Sequence, residues 1–252
     1  MGVVGLYGRH PATHPVGYKL IDNFVSSIPE PPASFDHTNG FDGFKMLGNG
    51  PDPTLTVHGG NPVGDCAFVG TVNVDVIDAV ETGEPVVLPT ADTVVSEYLT
   101  YDGGVDQGAN LTQLLAYWHR TGLWGSKILG YAAVNFRELD EVWAYANAFG
   151  VLYIGIAVPA AMEEQVANGQ TLDLTGTAAD TQILGGHCVD IISRSKGGGE
   201  IVTWGQRVAF TDRWLQTYME EAHVVITQAQ FARNGDGYGI ALPTLQSSLA
   251  GL

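Results

Sequence analysis

One cysteine and one histidine of this chain stand where nucleophilic chemistry is favoured. Cys66 follows Gly64 and Asp65 and begins the segment CAFVGTVNVDVIDAVE, whose apolar spacing predicts a helix with Asp65 as N-cap. A thiol in the first turn of a helix lies at the positive end of the helix dipole, which lowers its pKa. His187 follows two glycines in ILGGHCVDIIS, at the start of a predicted strand, where they leave room for an approaching backbone or substrate. Cys66 and His187 are therefore the candidate nucleophile and base of a thiol hydrolase.

Both residues also have a simpler interpretation. A free cysteine is commonly a buried small hydrophobic residue, and Cys188, the second cysteine of the chain, is interpreted as packing sulfur. A histidine within an apolar strand is often a hydrogen-bonded core residue. Considered one at a time, Cys66 and His187 could each be either a catalytic residue or an ordinary core residue.

The sequence does not indicate a metal or cofactor site. C-x-x-C pairs are absent, and two cysteines are too few for a disulfide framework. NGDGYG lacks the alternating acidic residues of a calcium loop, and KGGGE lacks the spacing of a phosphate loop. We therefore expect no metal and no cofactor, and a reducing compartment.

Composition and charge limit the class of partner. With 252 residues, 45% of them hydrophobic, the chain can bury a substantial core, and one compact domain is expected. Eleven basic against 27 acidic residues give a net charge of -16, which argues against nucleic acid or an anionic membrane as partner. No segment has the length of a signal peptide or a membrane span, so a cytoplasmic protein is expected.

Apolar periodicity and turn residues place helices mainly early in the chain and strands mainly late. Helices are predicted over 66–81, 91–101, 110–121, 138–150 and 213–222. Strands are predicted over 127–134, 151–158, 187–193, 200–204 and 223–227, with a polar stretch at 163–182 and a hairpin turn at SRSKGGG. This order indicates an α+β fold.

The chain is divided into three parts by composition. Residues 1–60, rich in Pro, Gly and His, are predicted to be an extended N-terminal arm packed on the domain. Residues 61–228 are the domain itself, and residues 229–252 are a C-terminal tail.

The order of these motifs resembles papain-type cysteine peptidases. Gly-Asp-Cys opens a helix, Gly-Gly-His opens a strand, and Trp204-Gly205 follows a second strand, as the cysteine, the histidine and the Ser-Trp-Gly segment do in that family. The similarity runs in order over residues 33–228, and the chain looks most like papain-like proteins of actinobacteria and their tailed phages. The resemblance implies a helical N-terminal half, with the nucleophile helix packed against a mostly antiparallel sheet or barrel.

The resemblance also implies roles for individual residues. Cys66 would form a thioester acyl-enzyme, His187 would transfer the proton, and Trp204 would shield the pair from water. The oxyanion-hole glutamine of the family falls on Gly60, but the amide of the neighbouring Asn61 could donate the same hydrogen bond.

The asparagine that orients the histidine in this family is not matched. Aligned on the Trp-Gly pair, its position falls on Val202, which cannot orient an imidazole. Counted from the histidine, it falls on Thr203, whose hydroxyl could accept a hydrogen bond from the ring.

Two functions follow from this pattern. The first is a thiol hydrolase, a peptidase or amidase acting on a peptide or protein substrate. The second is a catalytically degenerate domain with a structural or binding role on the surface of a protein assembly, for example a phage virion protein in the particle or the host cytoplasm. The unmatched asparagine favours the second function, and the ordered Cys, His and Trp-Gly motifs favour the first.

Overall fold

The structure of the chain is a computed structural model, which describes residues 8–10, 30–41 and 63–234. The helices in these ranges are α1 (Cys66–Thr82), α2 (Ala91–Tyr101), α3 (Leu111–Arg120), α4 (Leu139–Phe149), α5 (Ala160–Ala167), α6 (Asp212–Tyr218) and α7 (Gln228–Asn234). The strands are β1 (Phe35–Asp36), β2 (Gly130–Ala133), β3 (Leu152–Pro159), β4 (Ile183–Ser195), β5 (Gly198–Thr203), β6 (Gln206–Thr211) and β7 (Met219–Ile226).

The strands form one sheet in which all the pairings are antiparallel. Its order is β2-β7-β3-β4-β5-β6, and β1 pairs with the end of β4. Helix α1 packs on β4, and α4 packs on the centre of the sheet. The three helices α1 to α3 precede six of the seven strands in sequence, so the α+β class and the helical N-terminal half are confirmed.

Helix α1 approaches the sheet closely because it has no side chain at Gly70. A Cβ atom there would lie 2.6 Å from a ring carbon of Tyr153 and 3.2 Å from the sulfur of Cys188. The Tyr153 hydroxyl donates to the carbonyl of Ala67 at 2.8 Å, which ties the first turn of α1 to β3. These contacts fix where Cys66, the first residue of the helix, lies relative to the strands.

Most predicted elements lie where the sequence pattern placed them, but some elements were missed, among them β1 in the predicted arm and α7 at the start of the predicted tail. Helix α5 was not predicted, because its acidic residues were interpreted as part of a polar stretch. Strand β6 was also missed, although Val208 and Phe210 alternate with more exposed residues as a half-buried strand requires. The helix predicted to run to residue 222 ends at Tyr218, because the following residues pair with β3 as strand β7.

Two segments of the predicted N-terminal arm contact the domain. Phe35 of β1 packs edge-on against Trp143 of α4, with ring centroids 6.3 Å apart, and Arg9 donates its N–H to the carbonyl of Gly186 in β4. The division of the chain at residues 60 and 228 stays a prediction, since residues 42–62 and 235–252 lie outside the described ranges. None of the helices described is long and apolar enough to cross a membrane.

The packing at Gly70 predicts the sign of a stability change. Gly70→Ala favours the helix by about 1 kcal/mol, but we expect it to lower the free energy of unfolding by about 1–3 kcal/mol because the methyl group overpacks against Tyr153. Ser96→Ala, at an exposed position of α2, should change it by at most about 0.5 kcal/mol. Urea denaturation of both variants measures the difference, and a Gly70→Ala chain as stable as the parent would contradict the packing described.

Candidate active site

Cys66 begins α1 and is buried, with 2% of its surface exposed. The backbone N–H of Cys188 donates to its sulfur at 3.4 Å. Asp65 precedes the helix as predicted, but its side chain makes no capping hydrogen bond. The sulfur therefore lies between the start of the helix and strand β4.

His187 lies on β4 with its ring held from two sides. Its Nε2 is 2.8 Å from the Thr203 hydroxyl oxygen at the end of β5. The Trp204 indole stacks on the imidazole, with ring centroids 5.3 Å apart and planes 24° apart. Thr203 thus occupies the place where an orienting partner of the histidine was expected, and Val202 makes no such bond.

Trp204 reaches the histidine from a two-residue hairpin loop between β5 and β6. Thr203 pairs with Gln206 across the loop, and Trp204 and Gly205 have φ angles of 47° and 70°. Type I′ turns require positive φ at both central residues, which suits glycine but costs about 1 kcal/mol or more for a tryptophan. The strained residue is therefore Trp204, whose indole stacks on His187.

Cys66 and His187 line one small cavity. Its volume is about 10 Å³, at the lower limit for a single water molecule. The side chains and glycines around it are Cys66, Val69, Gly70, Asn73, His187, Cys188, Val202, Thr203, Trp204 and Gly205. The structure therefore brings four of the five predicted site residues together, in a closed site, while Asn61 lies outside the described residues.

Residues 8–10 close the site from the N-terminal arm. Arg9 donates its N–H to Gly186 at 3.1 Å on the sheet side, and Ala109 donates to the Gly8 carbonyl at 2.6 Å on the helical side. The backbone of Gly8 also hydrogen-bonds to Cys66. This segment, which we call the cover segment, spans the cleft between the two halves of the domain.

Three glycines let the cover segment lie directly on the cleft. A Cβ on Gly64 would lie 2.8 Å from the Gly8 Cα, and one on Gly108 would lie 2.0 Å from the Gly8 carbonyl oxygen. A Cβ on Gly186 would lie 2.6 Å from the Arg9 carbonyl oxygen. The glycine before His187, expected to leave room for an approaching backbone, is thus approached by a backbone of the same chain.

Burial raises the pKa of the Cys66 thiol to about 11, from an ordinary value of 9.0. The charge of Asp65 raises it further, whereas the backbone N–H groups of Cys188 and Gly8 lower it. The lowering predicted from the helix position is therefore wrong for this conformation. With the cover segment in place, the thiol is protonated at neutral pH.

Burial acts on His187 in the opposite direction. It lowers the pKa of the imidazole to about 3, from an ordinary value of 6.5, and the charge of Arg9 lowers it as well. Cys66 and His187 consequently line the cavity as a neutral thiol and a neutral imidazole.

Two features near the site were not found from the sequence. Asn73 lies on α1, seven residues after Cys66, and lines the same cavity. Its side-chain amide donates to the Asp190 carboxylate at 2.9 Å. Arg9 lies beside His187 although almost 180 positions separate the two residues, and no local pattern in the arm distinguishes it. In the described part of the chain, no cluster of His, Cys, Asp and Glu side chains could hold a metal ion.

Comparisons with known proteins identify the fold. No protein-family model and no curated protein matches the sequence. Xylellain, a cysteine protease from Xylella fastidiosa, is 14% identical, with a TM-score of 0.64 over 90% of this chain and 98% of that one. The ragweed pollen allergen Amb a 11, a cysteine protease in its proform, is 13% identical, with a TM-score of 0.55 over 87% of this chain and 64% of that one. Procathepsin L 3 of the Tenebrio molitor larval midgut is 10% identical, with a TM-score of 0.53 over 89% and 76%.

Similarity at these identities shows the fold alone. The chain has the α+β fold of papain-like cysteine proteases, as the sequence motifs predicted.

The buried imidazole predicts a pH dependence of stability. Between the pKa of about 3 in the folded chain and the ordinary value of 6.5, the unfolded chain binds a proton at His187 that the folded chain does not. The free energy of unfolding therefore falls as the pH is lowered through this window, by at most about 1.4 kcal/mol per pH unit from this residue.

The variant His187→Gln isolates this contribution, because glutamine does not titrate but can still bond to Thr203. Its free energy of unfolding should fall less steeply than that of the parent between pH 6.5 and about pH 4. Urea denaturation across this range measures both slopes, and equal slopes would show that His187 is not buried in its neutral form.

Proposed function

We propose that the chain is a papain-like thiol hydrolase that cleaves a peptide or amide bond through Cys66 and His187. The observation that carries the proposal is the shared cavity, which is lined both by the thiol at the start of a helix and by an imidazole held by Thr203 and Trp204. The papain-like fold supports it. Function depends on the groups in the site rather than on the fold.

The reaction uses one thiol and one imidazole in two steps. The Cys66 proton moves to His187, and the sulfur attacks the substrate carbonyl carbon, forming a C–S bond. The C–N bond then breaks, the leaving amine takes the proton from the imidazolium, and a thioester remains. Water, deprotonated by His187, attacks the thioester; the C–S bond breaks and the thiol is restored with release of the acid.

Negative charge on the substrate oxygen needs hydrogen-bond donors in this mechanism. The backbone N–H of Cys66 is available for this role, because the first N–H groups of a helix have no partner within the helix. The Asn61 amide is the proposed second donor.

Thr203 and Trp204 act on the imidazole in this proposal. The Thr203 hydroxyl accepts from Nε2–H, so that Nδ1 is the ring nitrogen that takes the thiol proton. An N–H to hydroxyl bond orients the ring less strongly than an amide oxygen would. The stacked indole of Trp204 limits access of water to the ring.

The cover segment must leave the cleft before a substrate reaches the sulfur. Burial is the largest cause of both pKa changes, raising that of Cys66 and lowering that of His187. Solvent that enters when residues 8–10 move away reverses both changes, and the helix dipole then favours the thiolate. The closed conformation is therefore the resting form of the enzyme.

A peptide or protein is the proposed substrate and the cytoplasm the proposed location. A net charge of -16 suits a basic or neutral substrate, and neither nucleic acid nor an anionic membrane is a partner in this proposal.

A second function is favoured by the closed site itself. A protonated, buried Cys66 and a valine at the usual asparagine position fit a degenerate domain of the kind expected for papain-like proteins of actinobacteria and tailed phages. Such a domain would bind a protein assembly, as a virion component or in the host cytoplasm. Its presence in purified virions, with no hydrolysis by any variant below, would establish this alternative.

The hydrolase proposal predicts unequal roles for the two cysteines. Arg9→Ala should raise peptide hydrolysis and iodoacetamide labelling of Cys66, because it removes a charged anchor of the cover segment. In both the parent and the Arg9→Ala chain, Cys66→Ala should reduce hydrolysis of a fluorogenic peptide mixture to background, whereas Cys188→Ala should reduce it far less. Labelling sites are read by mass spectrometry. Hydrolysis that survives Cys66→Ala would rule out the proposed nucleophile.

A hydroxyl on Thr203 is predicted to matter for rate. Thr203→Val removes the hydroxyl at nearly constant volume and should lower kcat/KM by up to about 10²-fold, because the imidazole loses its orienting bond. Thr203→Ser keeps the hydroxyl and should retain most of the rate. Steady-state kinetics in the Arg9→Ala background test this; equal rates for the two variants would remove Thr203 from the mechanism.

A further inference from the structure

The side chain of Arg9 is buried in an acidic pocket of the cleft. Its Nη1 lies 2.6 Å from Oε1 of Glu221, and its Nη2 donates to Glu220. Only 1% of the arginine side chain is exposed. The two guanidinium nitrogens thus meet two different carboxylates, both from the start of β7.

The stem of the arginine passes through a slot made by two glycines. A Cβ on Gly155 of β3 would lie 2.6 Å from the Cδ of Arg9, and a Cβ on Gly186 of β4 would lie 3.0 Å from its Nε. Side chains at these positions would fill the slot. The sheet therefore has a gap shaped for one long, extended side chain that ends at the glutamates.

Glu221 keeps its negative charge although it is buried. Burial alone would raise the pKa of Glu221, but the hydrogen bond and charge of His223, 3.1 Å away, and the charge of Arg9 lower it. Glu220 is half exposed and also borders an open cavity of about 510 Å³ lined in part by Phe136 and Thr217. The buried carboxylate of Glu221 favours a cation at this end of the slot, and the carboxylate of Glu220 supplies a second acceptor.

The cover segment binds the cleft through its main chain, as an added strand does. Gly8 bridges Gly186, and Arg9 bridges Ala109, both in parallel. Main-chain pairing of this kind accepts any extended peptide, and pockets for side chains supply selectivity. Selection in this cleft therefore falls on the pocket that holds the side chain of Arg9.

We propose that Glu220 and Glu221 select a basic side chain, arginine above all, in peptides that bind this cleft, and that Arg9 is the occupant supplied by the chain itself. This inference rests on the proposed function for its substrate class. A guanidinium reaches both carboxylates at once, whereas the single ammonium of lysine does not match two acceptors as well. Peptides with a neutral side chain leave both carboxylates without a guanidinium partner.

The test uses the full chain with its own occupant displaced and its thiol removed. Gly8→Val prevents the cover segment from seating, because a Cβ there would lie 1.7 Å from the Gly64 carbonyl oxygen. Arg9→Ala empties the pocket, and Cys66→Ala prevents turnover. Binding of labelled Leu-Tyr-Gly-Arg-His-Pro, the sequence of residues 6–11, is measured by fluorescence anisotropy, beside peptides with lysine or citrulline in place of arginine.

Citrulline has nearly the shape of arginine without its charge, so the comparison isolates the carboxylates. We expect the arginine peptide to bind at least tenfold more tightly than the citrulline peptide, with lysine between them. Adding Glu221→Gln should reduce the preference to about twofold or less. Glu164→Gln, which removes an exposed carboxylate on α5, should leave the preference unchanged.

Equal binding of the arginine and citrulline peptides, or a preference that survives Glu221→Gln, would overturn the inference. Circular dichroism shows whether the triple variant is folded. If it is not folded, the peptides are titrated against the Arg9→Ala, Cys66→Ala chain, which keeps glycine at position 8. Equal binding of the arginine and citrulline peptides to that chain, or a preference that survives Glu221→Gln in it, would likewise overturn the inference.

Failure of this inference is separable from failure of the proposed function. Binding to a chain without Cys66 does not depend on catalysis, so an arginine preference without hydrolysis would retain the pocket and reject the enzyme. Hydrolysis by the Arg9→Ala chain with no preference among the three peptides would retain the enzyme and reject the arginine-selective pocket.

Discussion

The close contact between the first turns of α1 and the strands β3 and β4 is the constraint on which the site depends. Gly70 gives the space, and the bond from Tyr153 to Ala67 fixes the turn that begins with Cys66. A side chain at position 70 would push the helix outward and move Cys66 away from the strand that carries His187. Packing in the core therefore determines whether two residues 121 positions apart meet in one cavity.

Two physical effects compete at the sulfur, and their sizes decide the outcome. A helix N-terminus stabilises a negative charge by about 0.3–1 kcal/mol at an exposed position and up to about 2 kcal/mol when partly buried. A pKa raised from 9.0 to about 11 corresponds to about 3 kcal/mol against the thiolate. Burial wins while the cover segment is in place. In the proposed enzyme, the helix favours the thiolate once the cover segment moves away and water reaches the cleft.

Local patterns in the sequence predicted the parts of the site that local structure positions. Cys66 was found from the start of a helix, and Thr203 from the resemblance to papain-type peptidases, as the position of their asparagine counted from His187. The predictions that were wrong concern features that depend on contacts between distant parts of the chain. Helix α5 and the early end of α6 depend on tertiary packing, and the pKa of Cys66 depends on residues 8–10, which lie next to it only in the folded chain. Nothing in the arm sequence indicates which of its residues makes that contact.

The acidic pocket favours opening of the cleft only when another basic side chain replaces Arg9. Removing Arg9 without replacement would leave the buried Glu221 bonded to His223 but without the guanidinium, and the loss of one partner of a buried ion pair costs several kcal/mol. An empty cleft is therefore unfavourable, whereas a cleft that accepts another basic side chain keeps the charges paired. In the proposed enzyme, a peptide that supplies such a side chain would compensate for the ion pairs lost when the cover segment leaves. The carboxylates that bind Arg9 would then also favour the basic ligand that replaces it.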